Sequence, residues 1–289
     1  MRVKKNMPSI LGLSLLLAAL SASAAVIADV RGKLSAGDLA SADAIAADFC
    51  AAKPETSECA AALSWLARGA QMMGRTESAA GYLDHTRMLT KLLLTRSTVE
   101  DDAFLLTAVG ATLETEARLL AAAGQRDRAV KLLQTELPKW KPFALRARLQ
   151  KTLNVLTLEG KPAPGLDPAW KGKPVLLFLW AHWCGDCKAQ VAALAQVRAK
   201  FGADRLTIVA PTRRYGSEQE EDALIAKVWQ EAYQPIDGVS HPVDEAAMLA
   251  YGVSSTPTIV LLDRRGVVRL YRPSRLSAAE LEQQIAKLL

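Results

Sequence analysis

Along the first half of the chain, apolar residues recur at steps of three and four. Leu63, Leu66, Ala67, Ala70 and Met73 form one such stripe, and it stops at Gly74. Leu106, Val109, Leu113, Ala117 and Leu120 form a second, which stops at Gly124. That period places each set on one face of a helix, and a glycine just past the last apolar position is a helix end. After each glycine a polar turn leads into a new stripe. Arg75-Thr76-Glu77-Ser78-Ala79 runs on to Leu83, and Gln125-Arg126-Asp127-Arg128-Ala129 runs on to Leu133. The pattern predicts five to seven antiparallel helices between about Ala36 and Leu156.

The pattern changes at Leu158-Glu159-Gly160-Lys161-Pro162-Ala163-Pro164-Gly165, whose two prolines and two glycines mark a domain entry. Beyond it, short apolar runs alternate with helical ones. Strands are expected at Val175 to Trp180, Leu206 to Ala210, Thr258 to Leu262 and Val267 to Tyr271, the last two around Asp263-Arg264-Arg265-Gly266. Helices are expected through Val191, Leu194 and Val197, from Ser217 to about Tyr233, from Asp244 to Ala250, and from Ser277 to Leu289. This alternation predicts an α/β sandwich around a mixed sheet at 159–289, preceded by an all-α domain at 25–158. The helix–glycine–turn figure of the first domain resembles in part the tetratricopeptide hairpin. Its two copies stand 50 residues apart, against about 34 in that repeat, and an irregular bundle accounts for the stripes equally well.

The 289 residues carry a formal charge of +6. Arg2, Lys4 and Lys5 supply half of that excess, in a leader with no acidic residue. Neither half of the chain has the basic stripe that phosphate neutralisation requires, so nucleic acid is excluded as the expected partner. The leader itself has a basic start, an apolar run from Ile10 to Leu20 and Ser21-Ala22-Ser23-Ala24. These are the parts of a secretory signal peptide at 1–24, with cleavage expected after Ala24. An uncleaved anchor, counted from Met7 to Val26, is the alternative. A periplasmic protein is the expectation.

Export gives the four cysteines their meaning, since pairs oxidise outside the cytoplasm. Cys50 and Cys59 flank a stretch in which Pro54 breaks a helix between alanine-rich runs. They read as a structural staple across a helix hairpin; a second redox couple or half a metal site are the rival readings. Cys184 and Cys187 lie in Trp180-Ala181-His182-Trp183-Cys184-Gly185-Asp186-Cys187-Lys188, which passes from a buried strand into a helix. That places Cys184 at a helix N-terminus, where free N–H groups and the dipole favour a thiolate. Cys187, one turn on, is placed to resolve a mixed disulfide. Zinc would need further ligands that the sequence does not supply. Covalent haem would need His where Lys188 stands. A three-ligand metal site using His182 is a minor alternative. No cofactor and no metal are called for.

With Thr256-Pro257-Thr258 downstream, followed by Ile259 to Asp263 and Gly266, this motif resembles the thioredoxin fold. Lys171-Gly172-Lys173-Pro174, Trp180-Ala181 and Tyr251-Gly252-Val253 fit the exported TlpA/ResA-type disulfide reductases. The resemblance covers about residues 160–289. It implies that Cys184 is the nucleophile, Cys187 the resolving thiol and Pro257 a cis-proline beside the pair. It further implies that the backbone of Thr256 pairs with the incoming substrate chain. Trp183 and Asp186 complete the expected site. The chain departs from the family at three positions: Phe178 replaces thioredoxin's buried acid, Gln190 a glutamate and Ala192 a helix-kinking proline. Proton transfer at Cys187 then falls to Asp186 or water.

The expectation is an exported protein disulfide reductase, served by a membrane electron donor, whose helical domain docks a protein partner. A disulfide oxidase or isomerase and a redox-silent binding scaffold are the alternatives. Asp186, two residues after Cys184, opposes a thiolate there and argues for the reducing direction. Arg213-Arg214-Tyr215 reads as a solvated loop rather than a rim for an acidic or aromatic partner. His241-Pro242 reads as a turn, and lone His85 as a surface or core residue.

Overall fold

A computed structural model describes residues 25–165 and 172–289. The expected leader at 1–24 lies outside the described residues, as does most of the stretch between Pro164 and Lys171. Packing divides the described residues into two compact units, with the division between Leu119 and Leu120.

The first unit is helical. Helix α1 (25–35) is followed by α2 (Leu39–Ala52), α3 (Ser57–Met72), α4 (Thr76–Leu93) and α5 (Ala103–Ala122), within which the division between units falls. Polar side chains fix the helix starts. Asp38 accepts the Ser41 N–H ahead of α2, and Thr56 accepts the Cys59 N–H ahead of α3. The end of α3 is fixed by Gly74, whose φ of +72° lets its N–H reach Gln71 O while Arg75 N–H reaches Ala70 O. Gly124 ends α5 in the same way. Both helix ends lie where the apolar stripes stop.

The second unit opens with α6 (Arg126–Glu136) and α7 (Phe143–Thr157). Composition groups these two helices with residues 25–158, whereas packing groups them with the sheet. The sheet and its helices then follow as β1 (Val175–Leu179), α8 (Gly185–Arg205), β2 (Thr207–Thr212), α9 (Glu218–Ala232), β3 (Val239–Pro242), α10 (Glu245–Ala250), β4 (Thr258–Leu262), β5 (Val268–Arg272) and α11 (Ala278–Ala286). Strand order is β3-β2-β1-β4-β5. Strands β1, β2 and β3 run parallel, and β4 and β5 pair antiparallel to β1 and to each other.

Central β1 is buried on both faces, so its alternation sorts two cores. Leu176, Phe178 and Trp180 face α8, α9 and α11, while Val175, Leu177 and Leu179 face the layer holding Met248, Tyr251 and Leu158. Among the described residues, β3 is a strand absent from the expectations. It is a short edge strand, Val-Ser-His-Pro, with no run of apolar residues and with a proline at its end, where a missing N–H costs no central ladder bond. His241-Pro242, expected as a turn, therefore lies in a strand.

Helix α7 is held to the sheet layer at two points. Asn154 Nδ2 donates to Ala250 O at 3.0 Å. Gly252, at φ +61°, approaches α7 so closely that a Cβ there would sit 2.2 Å from Lys151 N. Only glycine fits that position.

Candidate active site

Strand β1 ends at Leu179, and a four-residue connection carries the chain to Cys184. Trp180 anchors its start. The backbone N–H of Trp180 donates to Pro211 O, its indole donates to Ala210 O, and its carbonyl accepts from the Thr212 hydroxyl. Cys184 N–H donates back to Ala181 O, and Cys184 becomes the N-cap of α8. Its sulfur accepts the Cys187 N–H at 3.0 Å. The two cysteines form a disulfide, with Cα atoms 5.2 Å apart. Cys187 is fully enclosed, whereas Cys184 is 4% exposed. An incoming sulfur can therefore meet only Cys184, the atom beside the unpaired N–H groups of the helix end.

The register brings the second predicted element to the same sheet end. Leu179 pairs with Thr258, so the turn leaving β1 and the turn entering β4 lie side by side. The Thr256–Pro257 bond is cis. Thr256 and Trp183 line one cleft of about 160 Å³. Trp183 is 59% exposed and meets the Tyr215 ring edge-on, with centroids 5.4 Å apart.

Asp186 stands apart from this cleft. It is exposed on the first turn of α8, with its carboxylate 3.4 Å from the Arg275 guanidinium. Held outward by that partner, it is poorly placed to take a proton from enclosed Cys187. Gln190 is likewise committed. Its amide donates to Leu276 O at 2.8 Å and accepts from Leu276 N at 2.9 Å, tying the strand–helix connection before α11 to α8. Phe178 packs against Tyr233, with centroids 5.9 Å apart. Burial pushes the Tyr233 phenol up to about 12. Helix α8 continues regularly through Ala192, and its one non-helical residue is Gly202.

The Arg213-Arg214-Tyr215 trio divides, correcting the reading of all three as a solvated loop. Arg214 does pair on the surface with Glu218 and Asp222. Arg213 turns inward, its guanidinium 4.2 Å from the Phe143 ring and 4.4 Å from the Tyr215 ring, with Glu245 at 2.6 Å. Burial pushes the Tyr215 phenol up, and neighbouring Arg213 opposes that shift. His182, one residue before Trp183, places Nδ1 3.2 Å from Glu221 Oε2 without hydrogen-bond alignment. Sequence reasoning did not find Phe143, Glu221 or Glu245, because each lies on a helix far from the motif in the chain. Among the described residues, no group of three His, Cys, Asp or Glu side chains is placed to hold a metal ion.

The remaining pair, Cys50 of α2 and Cys59 of α3, is bonded in the first unit, its Cα atoms also 5.2 Å apart.

Comparison with known proteins bears on the second unit. The thioredoxin-like domain family matches residues 169–289. The thioredoxin-like protein YneN of Bacillus subtilis (strain 168) is 29% identical over 132 residues, which are 45% of this chain and 72% of that protein. The thiol:disulfide interchange protein DsbE of Escherichia coli (strain K12) is 29% identical over 147 residues, covering 49% of this chain and 74% of its own. A solved DsbF homologue from Corynebacterium diphtheriae is 25% identical, covering 42% of this chain and 74% of that one at a TM-score of 0.33. With its mixed sheet and helix-capping cysteine pair, the segment from 169 to 289 is a thioredoxin-like domain homologous to thiol–disulfide oxidoreductases of the DsbE and YneN type.

Proposed function

We propose that this chain is an exported thiol–disulfide oxidoreductase that reduces disulfides of extracytoplasmic proteins through Cys184 and Cys187. The observation that carries the reading is the placement of Cys184. It caps α8, accepts the Cys187 N–H and is the one residue of the pair with any exposed surface.

In the reduced protein, the Cys184 thiolate attacks one sulfur of a substrate disulfide. The substrate S–S bond breaks, and its departing thiolate takes a proton. Cys187 then loses its proton to water, and its thiolate attacks the Cys184 sulfur of the mixed disulfide. The second substrate thiolate leaves, the Cys184–Cys187 disulfide forms, and two electrons have passed to the substrate. A dithiol donor at the membrane restores the reduced pair. Thr256, ahead of Pro257, offers its backbone to the bound substrate strand, and Trp183 covers the flank of the reacting sulfur.

The direction follows from charge. Asp186 in the first turn of α8 opposes a thiolate at Cys184, and a less stabilised thiolate makes a more reducing couple. Arg275 moderates that effect. Export rests on the leader at 1–24 and on the DsbE relatives. No helix among the described residues is long and apolar enough to cross a membrane. The helical region of 25–158 serves as a docking module for a protein partner, with Cys50–Cys59 as its staple.

The test is insulin reduction by the mature protein under limiting dithiothreitol. Cys184→Ser should reduce turnover to background, and Cys187→Ser should accumulate mixed disulfides on non-reducing gels. Full turnover by Cys184→Ser would overturn the reading.

A further inference from the structure

The cleft beside the cysteine pair has a wall from outside the thioredoxin-like segment. Phe143 and Ala144, at the start of α7, line it together with Trp183, Arg213, Tyr215 and Thr256. Phe143 lies well before residue 169, where that segment begins. We infer that α7 is a specificity element, and that its Phe143 wall selects substrates with a large apolar or aromatic side chain next to the reacting cysteine. The inference rests on the oxidoreductase reading proposed above.

Size restricts the occupant. A cleft of about 160 Å³ falls below the ~300–1,000 Å³ typical of small-molecule and cofactor sites. It has room for one large side chain. Location identifies whose side chain it is. Trp183 precedes Cys184 and Thr256 precedes Pro257, so a polypeptide bonded to the Cys184 sulfur carries its flanking residues to this cleft.

Chemistry sets the preference. The guanidinium of Arg213 lies over the rings of Phe143 and Tyr215, at 4.2 and 4.4 Å, and the Tyr215 ring meets that of Trp183 edge-on at 5.4 Å. The charge of Arg213 is answered by Glu245 at 2.6 Å. Arg213 therefore presents a stacking surface already supplied with its counter-ion, and an acidic side chain gains little there. Burial of an apolar or aromatic side chain in the cleft that these groups line is favourable. Helix α7 can serve as a fixed wall because Asn154 and the Gly252 contact hold it to the sheet layer.

The experiment uses the reduced full mature chain and two disulfide-linked peptides that differ only at the residue before cysteine, Phe in one and Ser in the other. Each rate of thiol release is divided by the same protein's rate on bis(2-hydroxyethyl) disulfide, which has no flanking side chain. The wild type should favour the Phe peptide by about tenfold, the discrimination that burial of one such side chain supplies. Phe143→Ala should bring the ratio to within about twofold of unity. Ala144→Trp, at an exposed helical position, should fill the cleft and do the same. Equal wild-type rates on the two peptides, or an undiminished preference in both variants, would overturn the inference and leave the oxidoreductase reading standing. No reaction with any of the three disulfides would overturn both.

Discussion

The two disulfides have the same Cα separation, 5.2 Å, and different surroundings. Cys50 and Cys59 are nine residues apart in sequence and join two separate helices of the first unit. The Cys50–Cys59 bond closes a loop and adds a constraint between α2 and α3. Cys184 and Cys187 are three residues apart, and their bond closes one turn at the start of α8. Little loop entropy is at stake there, and the Cys184 sulfur, the thiolate of the reduced pair, lies beside a backbone N–H and a helix end. The comparison teaches that Cα separation alone does not distinguish the proposed staple from the proposed redox couple. Their positions in the helices do.

The contrast can be broken most severely at Cys184, whose replacement should end exchange as described above. The paired replacement Cys50→Ala with Cys59→Ala should leave insulin reduction intact. A variant that lost exchange along with this bond would merge the two roles.

Next in size is Gly252→Ala, which drives a Cβ against the α7 backbone at a φ of +61°. It should destabilise the second unit by about 3 kcal/mol or more, read by denaturant unfolding. An unchanged midpoint would show that α7 is not tied down there. Loss of the Cys50–Cys59 bond should cost about 2–3 kcal/mol, as expected for so short a loop.

A smaller effect is expected at Asp263, in the β4–β5 turn. Burial raises the pKa of its carboxyl. The Val267 and Arg265 N–H groups and the Arg269 guanidinium outweigh that, so the net shift is downward from 3.8. A depressed carboxyl stabilises the fold above its unfolded pKa and loses that contribution as pH falls through the folded one. Asp263→Asn should therefore cost about 1 kcal/mol near neutral pH and flatten the acid dependence below about pH 4. Equal stability losses at pH 7 and pH 3 would remove this account. Smallest of all, Asp186→Asn should make the Cys184–Cys187 couple more oxidising by less than about 30 mV, because Arg275 already offsets part of the charge.

Legibility followed the range of the forces involved. The ends of α3 and α5 were readable because Gly74 and Gly124 terminate helices by local backbone geometry. Strand β1 was readable because a strand buried on both faces has to be apolar throughout. Cys184 at a helix start was readable from a buried strand followed by a helical pattern. Strand β3 was not, since edge pairing puts little apolar demand on Val239-Ser240-His241-Pro242. The roles of Arg213 and Phe143 were hidden as well. One follows β2 and the other begins α7, and only packing of that helix on the sheet layer brings guanidinium and ring together. Gln190 was visible as a departure from the reductase pattern, but its partner Leu276, 86 residues away, was not.

The most direct test of the central claim is to equilibrate the mature protein in graded dithiothreitol or glutathione redox buffers. Alkylation and mass spectrometry then follow both cysteine pairs. The account predicts that Cys184–Cys187 titrates as a two-electron couple below about −200 mV, nearer thioredoxin than DsbA, while Cys50–Cys59 stays oxidised throughout that range. A Cys184–Cys187 potential near about −120 mV, or opening of Cys50–Cys59 first, would contradict it.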